Sequence, residues 1–364
     1  MQKKCNLAIV GATGLVGKTM LKILEERNFP INKIKLLASQ KSAGNKIKFK
    51  NNFLTVEELN ENSFEYIDIA LFSAGSFVSE KFAPIATNAG CIVIDNGSFW
   101  RMKENIPLVV PEVNAHELHK HQGLIANPNC STIQLVVPLH FISKINKPKH
   151  LIISTYQAIS GAGQKKLEQF YSEIKNFKSA INSEICTDVC SDISSTVDDN
   201  FQNKIVNSIM FHSDFNECGN TIEEEKMINE TRKILDLPSL SISATCVRIP
   251  VENSHCISAN IEFSDACNFD GIKNILSNSE GIIFVDSDNS FTKNYFTKNS
   301  NSANICNYPI PLMCNNRNEI FVGRLRKNTD SENAISLWIA ADNLRKGAAT
   351  NAIQIAEYIL ARNL

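Results

Sequence analysis

No apolar stretch in these 364 residues approaches the ~20 consecutive residues that a bilayer-spanning helix needs. The opening Met1-Gln2-Lys3-Lys4 leads directly into a short strand, not into the apolar core of a secretory signal. Those two absences point to a cytoplasmic protein without a membrane partner. Charge of one sign is lacking as well: 37 Lys and Arg against 38 Asp and Glu leave a formal net charge of −1, so nucleic acid is not expected as a partner. The 11 cysteines are odd in number and irregularly spaced, which suits a reducing compartment rather than a disulfide framework. Cys186 and Cys190, with His212 and Cys218 downstream, come nearest to a metal pattern. Their spacing matches no zinc motif, and no metal is expected. Internal repeats and low-complexity tracts are missing too. What remains, 43% apolar and 21% charged residues, is ordinary for a globular chain long enough for two domains.

The first feature present is a strand-like run, Asn6 to Val10, that enters Gly11-Ala12-Thr13-Gly14-Leu15-Val16-Gly17. Val16, Met20, Ile23 and Leu24 then recur at helical spacing. Strand, glycine turn and helix in that order form a dinucleotide-binding pattern, here G-x-x-G-x-x-G. Gly11 permits the tight turn, Gly14 lets backbone approach a pyrophosphate, and Gly17 lets the helix pack on the sheet. The second strand, Ile34 to Ala38, lacks the carboxylate that an NAD site places against the ribose 2′-hydroxyl. Ser39, Lys41 and Ser42 follow it instead and suit a 2′-phosphate, so the expected cofactor is NADP. Further strands at Ile67 to Phe72 and Ile92 to Asp95, a turn at Ser73-Ala74-Gly75 and a helix from Ser76 to Asn88 specify a doubly wound parallel sheet.

Leu124-Ile125-Ala126 reads as a buried strand and Ile133 onward as a helix, so Cys130 falls where one hands over to the other. Unpaired N–H groups and the positive dipole end there favour a thiolate, which makes Cys130 a candidate nucleophile. Pro138 is expected to kink or end that helix. Beyond it come a strand from His150 to Gln157, a helix from Gln164 to about Phe177, and a polar stretch from Lys178 to Asn220 that reads as surface loop or dimer arm. A helix from Thr221 to Leu235 follows, with Thr221 as N-cap. Strands are expected at Ser241 to Val251, Cys256 to Phe263, Phe321 to Arg326 and Ala334 to Ala341, and a loop between Asn289 and Asn304. A closing helix carries Ala352, Ile355, Ala356 and Ile359 on one face. The fold class is therefore α/β: an N-terminal Rossmann-type domain plus an α+β catalytic and dimerisation domain with a mixed, largely antiparallel sheet. The expected boundaries are 1–129 with 342–364 for the first and 130–341 for the second.

A thiolate beside a nicotinamide suggests acyl-thioester chemistry between an aldehyde and an activated acid. Such a route needs an acid/base, for which His255, at the break between two strands, is the best placed histidine. His116, His119 and His121 read as one polar helix face. Arg248 and His255 are seven apart, so Pro250 and Asn253 must break the strand if both face one site.

The glycine turn, Ser73-Ala74-Gly75, Pro128-Asn129-Cys130-Ser131-Thr132, Gln157-Ala158-Ile159-Ser160-Gly161-Ala162-Gly163, and Cys246-Val247-Arg248-Ile249-Pro250-Val251 with His255 together resemble the aspartate-β-semialdehyde dehydrogenase family. The order holds through Asp342-Asn343-Leu344-Arg345-Lys346-Gly347. The resemblance implies NADPH-dependent reductive dephosphorylation of L-aspartyl-β-phosphate to L-aspartate-β-semialdehyde and phosphate, in lysine, threonine, methionine and diaminopimelate biosynthesis. It implies Cys130 as nucleophile, His255 as acid/base and Gln157 as an orienting group. Arg248 would take the substrate carboxylate and Glu223 its ammonium, while Arg101, Asn129 and Lys226 would bind phosphate. Ser160, Gly161 and Asn343 would join the cofactor site, and the assembly would be a homodimer or a tetramer. The nearest rival is an N-acetyl-γ-glutamyl-phosphate reductase, against which Glu223 speaks, since a carboxylate has no use for an acetamide.

Overall fold

The computed structural model describes residues 4–182, 204–212, 214–285, 307–362 and 364. The expected loop between Asn289 and Asn304, the pair Cys186 and Cys190, and much of the polar stretch after Lys178 lie outside the described residues.

Seven strands form the first sheet: β1 (Cys5–Val10), β2 (Ile31–Ala38), β3 (Lys46–Phe49), β4 (Asn52–Glu58), β5 (Ile69–Phe72), β6 (Ile92–Asp95) and β7 (Leu124–Ala126), in the order β3-β4-β2-β1-β5-β6-β7. Every pair is parallel except β3–β4. That hairpin adds an edge not foreseen from the sequence. Along β1, Leu7 and Ile9 enter one core while Ala8 and Val10 enter another, because successive side chains leave a strand on opposite faces. Helix α1 (Leu15–Glu26) fills the first core through Met20, Leu21, Ile23 and Leu24, and α2 (Ser76–Asn88) fills the second through Ala83 and Ala86. The chain departs from β1 towards β2 on one side and returns to β5 on the other. The crevice this opens at the carboxyl ends of β1 and β5 is the topological switch point where ligands bind in such sheets.

Helix α3 (Cys130–Ser143) leads into the second sheet, made of β8 (Pro148–Gln157), β9 (Met210–Phe211), β10 (Ser241–Arg248), β11 (His255–Phe263), β12 (Ile282–Val285), β13 (Ile320–Lys327) and β14 (Ala334–Ala341), ordered β12-β13-β14-β11-β8-β10-β9. Only β8–β10 and β12–β13 are parallel. Helices α3, α5 (Ile222–Leu235) and α6 (Phe269–Asn278) cover one face, burying Leu151, Ile153, Ile257, Ile261 and Ile339 among others. The opposite face carries half-exposed Ile152 and partly exposed Tyr156, Asn260 and Trp338.

Several elements differ from the sequence reading. Helix α3 runs unbroken through Pro138, because residues 131–139 are all buried and packing outweighs the ~3 kcal/mol that an interior proline costs. Helix α4 (Gln164–Asn182) is longer than expected, and β9 makes a short antiparallel edge inside what read as loop. The closing helix, α7 (Asn351–Arg362), is preceded by a widened turn over Arg345–Thr350. There the Gly347 and Ala349 N–H groups donate to the Asp342 and Leu344 carbonyls, five residues back. Adjacent cations pin this turn. Arg345 pairs with Glu26, and fully buried Lys346 donates to both Glu112 oxygens at 2.8 Å and to Gln354 Oε1 at 2.8 Å. Helix α7 then lays Ala352, Ile353, Ile355, Ala356 and Ile359 on the core of the first sheet. No helix among the described residues is long and apolar enough to cross a membrane.

Candidate active site

A cleft of about 570 Å³ opens at the switch point and is lined from both sheets. Its dinucleotide side is built by the glycine turn. Gly11 has φ +87°, and a side chain there would collide with the Ser73 carbonyl, so strand and turn close tightly only around glycine. Helix α1 begins at Gly14, which supplies no side-chain cap, and the first-turn residues Leu15 and Val16 line the cleft with Ser73 and Gly75. A helix start with its N–H groups left to a ligand fits a pyrophosphate. Ala12 contributes only shape: its side chain is in the core and its N–H donates to the Leu37 carbonyl at 3.2 Å. Gly11, Thr13 and Ala74 complete the turns behind the lining. Ser39, Lys41 and Ser42 stand on or beside the short turn Gln40–Ser42 that follows β2, beyond the lining, with Lys41 exposed.

The reacting side is organised by Asn129. It is the N-cap of α3, its Oδ1 accepting from the Ser131 N–H at 2.9 Å and the Thr132 N–H at 3.3 Å. Cys130 is the first helical residue, partly buried in the cleft. The thiolate expected from that position is not what this geometry yields. Burial pushes the Cys130 thiol up to about 11 and the Glu223 carboxylate adds to the effect, while Arg248, Arg101 and the Ser131 N–H act in the opposite sense. The dipole is a local term, and burial here outweighs it. Gly347 presses directly on Cys130: a Cβ built on it would lie 2.8 Å from Cys130 Cβ and 3.3 Å from its Cα.

Glu223, in the first turn of α5, is the hub of the polar groups. Its Oε1 accepts from Asn129 Nδ2 at 2.8 Å and Gln157 Nε2 at 3.1 Å, and its Oε2 from Lys226 Nζ at 3.1 Å. Burial alone would raise its pKa, yet Lys226, His212, Asn129 and Gln157 together hold it down at about 2. It is thus an ionised carboxylate, and Oε2 keeps room for a further donor. Thr221 caps α5 as expected, in a full capping box with Glu224.

Strand β10 ends at Arg248 and β11 starts at His255, so the intervening residues break the strand as the spacing required. Arg248 lines the cleft and donates from Nη1 to the Ala158 carbonyl at 2.6 Å. His255 is fully buried one layer behind the lining, with Nε2 3.0 Å from where a Gly161 Cβ would stand. Its Nδ1 accepts from the Ala158 N–H at 2.9 Å, which places the ring proton on Nε2, an atom with no partner. Burial, with Arg248, takes its pKa down to about 3, so the ring is neutral. Asn343 ties the turn to this loop, its Oδ1 accepting from the Ser254 N–H at 2.9 Å and its Nδ2 donating to Ser160 Oγ at 3.0 Å.

Arg101 is buried at the cleft wall, donating from Nη2 to the Asn96 carbonyl at 2.7 Å and pairing through Nη1 with Glu230 at 2.9 Å. Glu230, Gly347 and His212, none of which was assigned to this site from the sequence, also belong to it; the last two line the cleft, and His212 leaves its buried Nε2 unpaired. A signal existed for the first: Glu223, Lys226, Glu230 and Lys233 recur at helical spacing on one face of α5. Among the described residues no group of three or more His, Cys, Asp or Glu side chains is placed to hold a metal ion.

Residues 6–121 match the family model for the semialdehyde dehydrogenase NAD-binding domain, and residues 138–346 that for the semialdehyde dehydrogenase dimerisation domain. The chain is 44% identical to the aspartate-semialdehyde dehydrogenase of Bacillus subtilis (strain 168) over 100% of both chains, and 44% identical to that of Aquifex aeolicus (strain VF5) over 98% of both. Among solved structures, aspartate semialdehyde dehydrogenase II of Vibrio cholerae, complexed with ASA, superposes with a TM-score of 0.87 at 34% identity, covering 100% of each chain.

Proposed function

The chain belongs to the aspartate-semialdehyde dehydrogenase family of NAD(P)-binding oxidoreductases, and from that premise we propose how its own residues carry the reaction. The substrate is L-aspartyl-β-phosphate and the cofactor NADPH. The observation that carries this reading is Glu223, kept ionised inside a cleft that also holds Arg248 and Cys130. A free amino acid brings an ammonium and a carboxylate. Glu223 Oε2 receives the first and the Arg248 guanidinium the second. Arg101, Lys226 and Asn129 gather round the phosphoryl group and hold it over Cys130.

Cationic Arg101 and Arg248 already oppose the burial that keeps Cys130 protonated, and substrate docking brings its carbonyl within reach of the sulfur. The sulfur adds to the β-carbonyl carbon as its proton passes to a phosphoryl oxygen of the substrate, the carbon–oxygen bond to phosphate breaks, and hydrogen phosphate departs, leaving a thioester on Cys130. When bound, NADPH supplies the hydride that reduces this thioester. Gln157 orients the acyl group, and His255 Nε2 lends its proton to the oxygen as charge develops there. The carbon–sulfur bond then breaks, the proton returns, and the aldehyde leaves a Cys130 thiolate. In this scheme His255 works as a proton donor, the role that its bond from Ala158 prepares.

Ser39, Lys41 and Ser42, with no carboxylate at the end of β2, support NADP over NAD. Free thiols throughout the described residues support a cytoplasmic setting. We place the first domain at 1–129 with 342–364 and the second at 130–341, supported by α7 on the first sheet's core and α3 on the second's. The open face of the second sheet is the surface for a homodimer.

The test is phosphate-dependent oxidation of L-aspartate-β-semialdehyde, followed as reduced cofactor with NADP⁺ and then NAD⁺. Activity that needs phosphate, prefers NADP⁺ and is abolished in Cys130→Ala is expected. Activity only on N-acetyl-glutamate-γ-semialdehyde would overturn the substrate assignment.

A further inference from the structure

Glu230 lies outside the substrate-binding set, yet it is among the most buried charges in the protein. Its side chain is 1% exposed, and its two oxygens serve two different parts of the reaction centre. Oε1 accepts from Arg101 Nη1 at 2.9 Å, and Oε2 accepts the backbone N–H of Asn129 at 2.7 Å. Asn129 is the N-cap from which Cys130 departs, and Arg101 is the cation assigned to phosphate.

One turn further along α5, Lys233 Nζ donates to the carbonyls of Arg101, Lys103 and Ile106 at 2.8, 2.9 and 2.9 Å. Helix α5 therefore grips Arg101 at both ends, its main chain through Lys233 and its guanidinium through Glu230. Arg101 Nε is buried and unpartnered, so of the contacts described only Glu230 and the Asn96 carbonyl set the direction of the guanidinium.

We propose that Glu230 is the positioning residue of the phosphate subsite: a single carboxylate that fixes Arg101 relative to the nucleophile by holding the arginine and the N-cap of its helix together. The inference deepens the proposed function and rests on its phosphate site. A carboxylate suits this place because both of its neighbours are donors. A glutamine amide offers one acceptor and one donor, so in Glu230→Gln an N–H must face an N–H at either Arg101 or Asn129, and a buried group loses its partner. The guanidinium then turns away from the sulfur, and the loss falls on phosphate before it falls on the semialdehyde.

The experiment is a double-mutant cycle of Glu230→Gln and Arg101→Lys, read as KM for inorganic phosphate and KM for the semialdehyde in the oxidative direction. Glu230→Gln is expected to raise KM for phosphate about tenfold while leaving KM for the semialdehyde within about twofold. In the Arg101→Lys background the same change is expected to move KM for phosphate less than about twofold, because its target is gone. A structural role alone would give additive effects on both constants, and that result overturns the inference. Should Glu230→Gln fail to fold, Glu230→Asp, which keeps the charge but withdraws it from one partner, is read in the same cycle. If Arg101→Lys by itself leaves KM for phosphate unchanged, the phosphate-site reading fails. If Arg101→Lys raises it and the Glu230 variants do not, only the inference fails.

Discussion

Replacing Gly347 with alanine puts one methyl group against Cys130, the proposed nucleophile. The added carbon would stand 2.8 Å from Cys130 Cβ, where an unstrained carbon contact needs about 3.6 Å, so the two must separate by about 0.8 Å. Neither side yields easily. Cys130 is the first residue of a capped helix, and Gly347 lies in a turn held by the Arg345 and Lys346 ion pairs. A misplacement near 1 Å costs about 10²-fold in rate, or about 2.7 kcal/mol of barrier. Overpacking of this kind costs about 1–3 kcal/mol of stability, which a two-domain protein can absorb. The expected result for Gly347→Ala is a folded enzyme whose kcat for semialdehyde oxidation falls about 100-fold. Alkylation of Cys130 by iodoacetamide, run beside the steady-state assay, is expected to slow as well. A folded variant whose kcat stays within about threefold of the parent would refute the idea that this contact sets the position of the sulfur.

Two further outcomes follow from the same geometry. Glu223 has its folded pKa depressed from 4.5 to about 2, so it contributes stability that is complete above pH 4.5 and is lost as pH falls through about 2. Urea titrations should show about 3 kcal/mol of stability disappearing from this source between pH 5 and pH 2; Glu223→Gln should lack that part of the decline, and an unchanged profile would count against the buried charge network. Lys41→Ala should raise KM for NADP⁺ several-fold and leave KM for NAD⁺ alone, since an exposed lysine has only the 2′-phosphate to meet; equal effects on both would remove it from the cofactor site.

What could be read from the sequence was whatever depends on neighbours in the chain. The buried runs of β1, β5 and β6, the glycine turn into α1, the Thr221 cap and the place of Cys130 at a helix start are all local patterns. The breaks between Arg248 and His255 were legible because Pro250 and Asn253 interrupt a strand within a few residues. Terms settled by distant packing were not. Pro138 looked like a helix breaker until the surrounding core was known, and the Cys130 thiol looked acidic until its burial was known. The hairpin of β3 and β4 was hidden by Lys46 and Lys48 alternating with Ile47 and Phe49, short for a strand and turned by Lys50 at φ 53°. The widened turn at Arg345–Thr350 has no periodicity to recognise. Glu230 shares its helical spacing with Glu223, Lys226 and Lys233, but only the fold shows that this face of α5 looks inward.

The return of α7 to the first sheet has a consequence in time. Strands β1 to β7 leave the ribosome before residue 130, but the core on one of their faces lacks Ala352, Ile353, Ile355, Ala356 and Ile359 until more than two hundred further residues have been made. At about 5–20 residues per second the nascent first domain therefore waits tens of seconds with the part of that apolar face not covered by α1 exposed. Because the turn that leads into α7 also carries Gly347 to Cys130, completing that face and seating the nucleophile become one late event. A nascent chain stalled before Asn351 should accordingly bind a hydrophobic dye and be cut by protease within β1–β7, and one carried past Leu364 by an added linker long enough to free α7 from the ribosome should resist both. Protection in the shorter chain would show that the first domain closes without its last helix.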